Sequence, residues 1–596
     1  RNTTGGSNVA VGTAAGLDLL GANENTFIGT AAGRSMTTGA LNVAVGSNSL
    51  RNQTTTSHNI AIGRAAMQAS TSGSQNIAIG TDALEATSAT GNIAIGYRVA
   101  IGASQSGSYN TLIGHEVGQA LDNGEQNELI GRQAGYSLTN GSTNTVVGYQ
   151  AMYANITGSS CVAIGFRALH SDPSSEESVA VGHQALFNQT AGRNTAIGFH
   201  TLQDLTTGGY NTAVGGEAAE NITTGGENTS VGSFSLRFIT DSSNNTAMGY
   251  KALYTQTTGS SNTAMGHQAG EFVNAAKYTT LIGSQCGSLI TNNDYNTMMG
   301  YYTGRNTTTG ENNAFFGAIA GRFNSTGSRN TYIGCQAVDN QTHTGSDNVV
   351  IGFAAAQNIT TGFENILIGK SAASGLTTAA ANIGIGINAL NGNTNSAGNI
   401  AIGYAAMSAG VMDGTGRNIA IGDAAGFNVT TGSNNIIIGW NAGRSGSQTP
   451  QSMGAIITAS NEVQVGNESH TSYLVQVQWV ANSDARDKTD IKEHKLGLEF
   501  IDKLKPVTYY WDKRSKYENY TPDGTHVEDD LQVGFLAQDL VELEKEYGHK
   551  LEDKTNLATH QSSDGNKFGI QHTSIIPSLV KAIQELKAEI EILKKK

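Results

Sequence analysis

The sequence lacks the features that mark membrane-spanning, nucleic-acid-binding and most catalytic proteins. No run of about 18 apolar residues occurs in the chain, so no membrane insertion is expected. The net charge is −13 and the repeated part of the chain holds no basic patch, which argues against nucleic acid as a partner. The 13 histidines show no metal-ligand spacing, and no phosphate-binding glycine loop precedes a helix. The sequence therefore predicts no metal and no cofactor.

What the chain has in abundance is glycine at a fixed interval. A segment such as Asn59-Ile-Ala-Ile-Gly63 recurs, and it closes on glycine 26 times from Gly12 to Gly439. Twenty of the 25 intervals between these closing glycines are 17 residues long, and the others are 16, 18 or 19. A period this short is typical of a solenoid in which each repeat forms one turn. The predicted fold class is mainly β, a parallel β-roll or β-solenoid of 17-residue repeats.

Each repeat is expected to form two short strands and two turns. In Asn-Ile-Ala-Ile-Gly the two isoleucines share one face and the alanine points to the other. A second apolar run follows many closing glycines, as in Ala252-Leu253-Tyr254, and is predicted to be the second strand. The Thr-Thr-Gly segments are expected to supply turns in which glycine adopts positive φ.

An asparagine lies four residues before the closing glycine in 23 of the 26 repeats. Stacked amides at one position can hydrogen-bond from turn to turn, so we expect this asparagine to form a ladder. A carbohydrate-binding role is the alternative.

The three cysteines, Cys161, Cys286 and Cys335, are separated by several repeats. Along a solenoid this spacing puts their Cα atoms beyond disulfide reach. We expect them to be small buried apolar residues, with a functional thiol as the alternative.

The composition changes sharply at about residue 483. Residues 484–596 contain 40 of the 83 charged residues, whereas 69 of the 75 glycines precede them. The period itself ends earlier, because Pro450 interrupts it, Val463-Gln-Val-Gly is a degenerate last copy and residues 473–480 alternate as a strand. Three segments are therefore predicted: a β-roll repeat shaft over residues 1–445, a neck or capping segment over 446–482 and a charged module over 483–596.

The repeats resemble those of two kinds of surface protein. Their Asn-x-Ala-Ile-Gly-x-x-Ala core is similar to the short repeats in the heads of trimeric autotransporter adhesins, and the array also looks like the repeat shafts of phage tail fibres. A single turn is too narrow to bury all of its apolar side chains, so one apolar face stays uncovered. The resemblance implies that three parallel chains pack these faces around a common axis. Twenty-six turns at strand spacing then predict a rod about 120 Å long.

The C-terminal module carries four motifs, which are Ser483-Asp-Ala-Arg-Asp-Lys488, Pro506-Val-Thr-Tyr-Tyr-Trp511, Val533-Gly-Phe-Leu-Ala-Gln538 and Ile576-Pro-Ser-Leu-Val580. In order and spacing they resemble the intramolecular chaperone auto-processing domain at the C-terminus of phage tailspikes and tail fibres. The resemblance implies a small α+β domain over residues 483–596 that trimerises, directs folding of the upstream β-structure and then cuts itself off. The cut in that family precedes a serine, with a lysine five residues later.

Ser483 and Lys488 occupy the two family positions, which makes them the implied catalytic pair and Asn482–Ser483 the implied cleavage site. A serine hydroxyl needs a base to become a nucleophile. A lysine amine serves as that base only where burial or a nearby cation favours its neutral form, and Arg486 is the candidate cation. Asp487 departs from the family, which often has an apolar residue there. The alternative is that Ser483 and Asp484 only cap a turn or helix. At most, a self-cleaving Ser-Lys endopeptidase activity is expected.

Apolar residues at 3,4-spacing end the chain, namely Ile576, Leu579, Ile583, Leu586, Ile590 and Leu593. This seam predicts a coiled-coil helix with Pro577 in its first turn. A seam so short is expected to pack on partner chains. Isoleucine at a with leucine at d favours dimers by itself, whereas the family resemblance implies a homotrimer.

The function these observations predict is a trimeric fibre that attaches a phage or virus to a host cell surface. Its expected location is a virion fibre, or the extracellular or cell surface, and its expected partner is a glycan or protein receptor. A bacterial surface trimeric adhesin is the main alternative; a polysaccharide depolymerase tailspike and ice binding by threonine ladders are weaker ones. Because Arg1-Asn-Thr-Thr-Gly enters in mid-repeat, an upstream anchoring region is expected.

Overall fold

The chain divides into two compact units, residues 1–344 and 345–596. The computed structural model describes residues 4–102, 105–409, 412, 416–444, 458–467, 470, 474, 483–514, 517, 521–561 and 568–596. The three-segment division drawn from the sequence stays a prediction. Pro450 and nearly all of the strand predicted over residues 473–480 lie outside the described residues.

The first unit is built from three-residue strands that repeat once per turn of the chain. Each strand pairs in parallel with the equivalent strand of the next turn, so that Ile60 lies beside Ile77 and Ile62 beside Ile79. This register keeps every residue next to its counterpart one repeat away. The strands described in this unit, β1 to β20, are Val9–Val11, Thr26–Ile28, Val43–Val45, Ile60–Ile62, Ile77–Ile79, Ile93–Ile95, Thr111–Ile113, Glu128–Ile130, Thr145–Val147, Val162–Ile164, Val179–Val181, Thr195–Ile197, Thr212–Val214, Thr229–Val231, Thr246–Met248, Thr263–Met265, Thr280–Ile282, Thr297–Met299, Ala314–Phe316 and Thr331–Ile333.

The second unit begins with strands of the same kind. Those described, β21 to β27, are Val349–Ile351, Ile366–Ile368, Ile383–Ile385, Ile400–Ile402, Ile419–Ile421, Ile436–Ile438 and Val463–Val465. The last of them is the degenerate Val-Gln-Val-Gly copy, and it pairs in parallel with the strand before it, Val463 beside Ile436. The predicted parallel β-solenoid is therefore confirmed, with about 25 turns and a 17-residue spacing.

The prediction of a second strand in each repeat is wrong. In the segment after Gly249, Lys251 and Leu253 adopt left-handed backbone with φ of 54° and 50°. Backbone hydrogen bonds still join the turns there, because Lys251 N–H donates to Ser233 O at 3.1 Å and Leu253 N–H donates to Ala269 O at 3.0 Å. Left-handed residues cost about 1–2 kcal/mol each. The hydrogen bonds to neighbouring turns and the full burial of Leu253 offset that cost.

The closing glycines occupy positions that no other residue fits. Gly12 has φ of 130°, and a Cβ on it would lie 2.7 Å from Gly29 O in the next turn. The turn glycines behave differently from expectation. Gly259, in a Thr-Thr-Gly segment, does not adopt positive φ; a Cβ on it would instead meet Ala276 O of the next turn. Crowding between stacked backbones, more than turn conformation, therefore requires glycine at both places.

The asparagine ladder predicted from the repeats is present. Asn127 Nδ2 donates to Asn110 Oδ1 at 3.0 Å and to Gly141 O at 2.9 Å, and Asn144 Nδ2 donates to Asn127 Oδ1 at 3.0 Å. These amides are buried. Each asparagine thus satisfies backbone and side-chain groups of its neighbours, as buried polar groups require.

Every described strand from β2 to β26 buries its central residue and turns its first and third residues outward, whereas the central residues of β1 and β27 are not buried. Ala61 in the first unit and Leu367 in the second are fully buried. The neighbouring Ile62 and Ile366 are 38% and 40% exposed. The alternation predicted for the strand is therefore confirmed, and it leaves an apolar face on the outside of the solenoid.

Two of the three cysteines are buried as expected. Burial raises the pKa of the Cys286 thiol to about 12 and also raises that of Cys161. The expectation is wrong for Cys335, which is exposed. It directly follows a closing glycine, Gly334, at the repeat position where other turns carry the outward rings of Phe166, Phe199 and Tyr250.

The C-terminal module is a small α+β arrangement. Its helices are α1 (Leu498–Asp502), α2 (Ala537–Glu546) and α3 (Ile576–Lys595), and its antiparallel strand pairs are β28 (Val507–Tyr509) with β29 (Gln532–Gly534) and β30 (Thr559–Gln561) with β31 (Phe568–Ile570). Its buried core is formed by Leu496, Phe500, Leu540, Leu543, Ala558 and Ile575. Pro577 stands in the first turn of α3 as predicted. No helix within the described ranges is both long and apolar enough to cross a bilayer.

Candidate self-cleavage site

The structure brings Ser483 and Lys488 into direct contact. Between them, Ala485–Asp487 forms a single turn of 3-10 helix. This turn folds the chain back over five residues, and Lys488 Nζ donates to Ser483 Oγ at 2.5 Å and to the Ser483 carbonyl oxygen at 3.3 Å. The predicted pair thus has the contact that a nucleophile and its base require. Asn482, on the other side of the predicted scissile bond, lies outside the described residues.

Asp484 caps the short helix beside the pair. Its carboxylate accepts from Arg486 N–H at 2.9 Å and forms an ion pair with the Arg486 guanidinium, with Nη2 and Oδ2 2.5 Å apart. The arginine's hydrogen bonds lower the pKa of Asp484, and the carboxylate raises the pKa of Arg486. Asp484 therefore has the capping role that was the alternative for Ser483 and Asp484. Its carboxylate also balances the positive charge of Arg486, the cation expected to act on Lys488.

Both members of the pair are exposed to solvent in the single chain. A general base must be neutral to accept the serine proton, and burial is what favours the neutral form of a lysine amine. The geometry for proton transfer is present, but the described residues do not provide a wall that excludes water from the amine. Such a wall has to come from residues outside the described part of this chain or from another copy.

The helix α3 holds the segment that follows the pair. Leu498 N–H donates to Glu585 Oε2 at 2.7 Å, and His494 Nε2 lies 2.7 Å from Ser578 Oγ. Lys581 Nζ forms an ion pair with Glu493 at 2.7 Å. Sequence reasoning missed these contacts because they join residues 84 to 88 positions apart and no local spacing reveals them.

The same helix presents an apolar seam to solvent. Ile583, Ile590 and Leu593 are 64%, 48% and 69% exposed. Beside the start of α3, an apolar cavity of about 270 Å³ is lined by Leu504, Pro506, Phe535 and Leu579, among others. An exposed apolar seam next to an apolar cavity is typical of a surface suited to packing against another chain.

The chain thus consists of a β-solenoid followed by a small α+β module with a Ser-Lys pair at its start. Residues 483–549 match the model of the peptidase S74 family, which is described as chaperone of endosialidase. The matched region begins at Ser483 and includes Lys488, so the resemblance found in the motifs is confirmed. Neither the search of curated proteins nor that of solved structures gave a match. A chaperone segment of this family after a β-solenoid fits a tail-fibre-like or tailspike-like protein.

Proposed function

We propose that the chain is the subunit of a parallel homotrimeric fibre that attaches to a host cell surface, on a virion or otherwise outside the cell. The observation that carries this proposal is the match of residues 483–549 to chaperones of endosialidase directly after a β-solenoid. The C-terminal module would align three chains, and the solenoid would supply the surface that meets the receptor. The proposed partner of the fibre is a receptor on the host cell surface, either a glycan or a protein.

The outward face of the strands supports self-association. Soluble proteins rarely expose long contiguous apolar stripes unless a partner covers them. Other copies of this chain are suited to cover this stripe, because three copies in register present the same face to one axis. In the first unit the outward apolar residues more than a third exposed include Ile28, Ile62, Ile130, Ile164, Ile197, Met248, Met265, Met299 and Ile333, and in the second Ile366, Ile402, Ile421, Ile436 and Ile438.

The repetition of the solenoid explains why such an assembly needs a chaperone. Neighbouring turns are nearly interchangeable, so three chains can pair out of register by one or more repeats at little cost. The module at residues 483–596 has no copy elsewhere in the chain. Alignment of three modules through α3 would fix the register once, and the turns would then fold onto one another from that end.

Self-cleavage would follow assembly. Lys488 in its neutral form takes the Ser483 hydroxyl proton as Oγ attacks the Asn482 carbonyl carbon. The Asn482–Ser483 C–N bond breaks, the proton passes to the Ser483 amine, and an ester joins the Asn482 carbonyl to Ser483 Oγ. Water hydrolyses this ester, leaving an Asn482 carboxylate and a free Ser483. Assembly supports this order because a neighbouring copy can exclude water from an amine that is exposed in the single chain.

Two substitutions test the cleavage step. The unmodified chain should yield a C-terminal fragment of 114 residues beginning at Ser483 on a denaturing gel. Ser483→Ala and Lys488→Arg should each keep a single chain of 62.0 kDa, because the first removes the nucleophile and arginine does not act as a base at neutral pH. Lys492→Arg, at a nearby exposed lysine paired with Asp490, is the matched control and should cleave normally. A full-length unmodified chain after prolonged incubation would contradict cleavage and leave the chaperone role standing.

Attachment is tested with the assembled protein itself. Fluorescently labelled full-length chain should bind cells of some strains in a bacterial panel, with saturation and with competition by unlabelled chain. Binding that never saturates, or that excess unlabelled chain does not reduce on any strain, contradicts the attachment role.

A further inference from the structure

A polar groove runs across several successive turns of the first unit. Its volume is about 840 Å³, and its floor is formed where Gly192, Gly209 and Gly226 occupy the same position in three consecutive repeats. At about 4.8 Å per turn, the five turns it crosses give it a length on the order of 20 Å. One wall consists of threonines and a serine, and the other carries Arg193, Tyr210, Glu227 and Asn244.

Three backbone donors in this groove lack the partner that equivalent donors have in many, but not all, other turns. In many turns a serine at the floor position accepts a hydrogen bond from the N–H of the preceding turn, as Ser159 Oγ does from Ser142 N at 3.1 Å. Ser243 does the same for Gly226 at the end of the groove, at 3.0 Å. Where successive turns both carry glycine at the floor position, there is no side-chain oxygen to accept this hydrogen bond. Among the described residues, the N–H groups of Glu176, Gly192 and Gly209 have no hydrogen-bond partner.

Of the three floor glycines, only Gly209 is not required for the solenoid to fold, because a Cβ on Gly192 would lie 2.5 Å from Glu176 O and a Cβ on Gly226 would lie 2.9 Å from Gly209 O. A Cβ on Gly209 would have its nearest neighbour at 3.5 Å, an ordinary contact, and its φ is not positive. Other turns carry larger residues at the equivalent position, including Lys277 and Phe363. At Gly209 the floor is therefore open because of its sequence, and three donors in a line have no partner within the described part of the chain. Backbone N–H groups left in this way are a place for a ligand's acceptor atoms.

The walls complement these donors with groups suited to hydroxyls. Arg193 is held across the wall, donating from Nη1 to Tyr210 OH at 2.6 Å and from Nε to Glu177 at 3.1 Å. Glu176, Glu227 and the amide of Asn244 supply acceptors, and the threonines supply hydroxyls that both donate and accept. The acidic side chains outnumber the single arginine, so the field disfavours a polyanion. The groove has no cluster of large aliphatic side chains to hold a lipid.

We propose that this groove binds an unbranched, uncharged oligosaccharide lying along the solenoid. Sugar hydroxyls would accept from the three free N–H groups and donate to the carboxylate and amide oxygens of the wall. Along the sequence of a repeat, the groove residues precede the ladder asparagine and the residues of the apolar strand face follow it. Association of copies through the strand face therefore uses side chains other than those of the groove, and the groove stays available to a ligand. This inference rests on the attachment role proposed above and names the class of its receptor.

Two matched substitutions test the groove in the full-length chain. Gly209→Phe fills the floor with a ring that Phe363 shows the position accepts. Gly216→Phe is the control, because a Cβ there has its nearest neighbour at 3.9 Å and Phe199 and Tyr250 occupy the equivalent position in nearby turns. Equal thermal unfolding of both variants shows that neither has lost the fold. The probes are immobilised unbranched oligosaccharides of about four to eight neutral hexose or N-acetylhexosamine residues, which suit a groove of this length. Sialylated and sulfated oligosaccharides and extended peptides are included for comparison.

The expected result is binding of at least one neutral probe, weakened roughly tenfold or more by Gly209→Phe and unchanged by Gly216→Phe. Absence of neutral probe binding, binding confined to charged sugars or peptides, or equal binding by Gly209→Phe overturns the proposal. Cell binding separates the two proposals. If Gly209→Phe still attaches to cells as the unmodified chain does, the groove inference fails and attachment stands. If the groove binds a neutral probe but no cell binding is seen, attachment fails and the groove stands.

Discussion

At the residue scale, stacked turns decide which positions tolerate change. The closing glycine has a backbone conformation and a crowded Cα that together exclude a side chain, and the buried asparagine completes the hydrogen bonds of its neighbours. Other outward positions, such as the one that carries Arg64 in one turn and Tyr250 in another, vary freely. The closing glycine and the ladder asparagine thus keep the repeat regular, the first through its backbone conformation and the second through its hydrogen bonds.

Two adjacent glycines allow a direct test of this crowding. Gly215 has φ of 134°, and its Cβ would lie 2.8 Å from Gly232 O, whereas Gly216 has no positive φ and open space around it. Gly215→Ala should destabilise the surrounding turns by about 1–3 kcal/mol, seen as roughly fivefold or more faster amide hydrogen exchange there. Gly216→Ala should leave exchange nearly unchanged. Equal exchange in the two variants would mean that the closing glycine is not required by crowding.

The asparagine ladder should respond to loss of one amide. Asn127→Ala removes two donated hydrogen bonds and leaves the N–H of Asn144 and the carbonyl of Gly141 unsatisfied in a buried site. A cost of about 1–3 kcal/mol is expected, measured by hydrogen exchange of the flanking turns. Asn52→Ala, at an exposed asparagine outside the ladder, is the control and should have little effect. A neutral Asn127→Ala would show that the ladder adds nothing to stability.

The cysteines should differ in reactivity. The pKa of Cys286 is raised to about 12 by burial and that of Cys161 is also raised, so both stay protonated and covered at pH 8. Exposed Cys335 should be the first alkylated in the folded protein, and Cys335→Ser should abolish the fast phase seen by mass spectrometry. Fast labelling of Cys286 in the native protein would contradict its burial.

Much at this scale could be predicted from the sequence. Period and ladder were readable because each depends on spacing within one or two repeats, whereas the Ser483–Lys488 pair was identified through the family resemblance of the C-terminal module. The left-handed residues Lys251 and Leu253 were not, because apolarity alone does not distinguish a strand from a left-handed segment that also hydrogen-bonds between turns. The contacts of Glu585 and His494 were not, because they join distant parts of the chain.

At the element scale, the short strand and the final helix both leave apolar surface unpaired. A three-residue strand buries only its central side chain and leaves the outer two partly exposed. The helix α3 buries Ser578 and Ala582 toward its own module and leaves the seam outward. Both surfaces are suited to the association of copies proposed above, the first along the solenoid and the second at α3.

The seam of α3 can be altered without touching the core of its module. Ile583→Glu with Ile590→Glu places charges at two exposed seam positions, and should abolish association while leaving the helix content of the chain unchanged. Gln584→Glu, on an exposed position of the same helix, is the control. Native mass and circular dichroism measure the two effects. Full association of the double variant would show that the seam is not an interface.

At the scale of the whole molecule, the chain joins a solenoid of nearly interchangeable turns to a C-terminal module that occurs once in the sequence. The match to chaperones of endosialidase supports the proposal that this module aligns the chains. The outward apolar face of the strands supports the proposal that the solenoids of several copies associate. The predicted rod length, homotrimer and cleavage remain predictions, since each concerns an assembly of copies. Cleavage after assembly would also make folding hard to reverse, because the aligning module would have left.

The most direct test is the native mass of the Ser483→Ala chain, measured by light scattering, beside a chain that ends at residue 482. The account predicts about three times 62.0 kDa for the uncleaved full-length variant. It predicts aggregates or protease-sensitive material for the truncated chain, because no module sets the register. A full-length variant of 62.0 kDa, or soluble protease-resistant trimers from the truncated chain, would contradict the claim that residues 483–596 direct the assembly of this fibre.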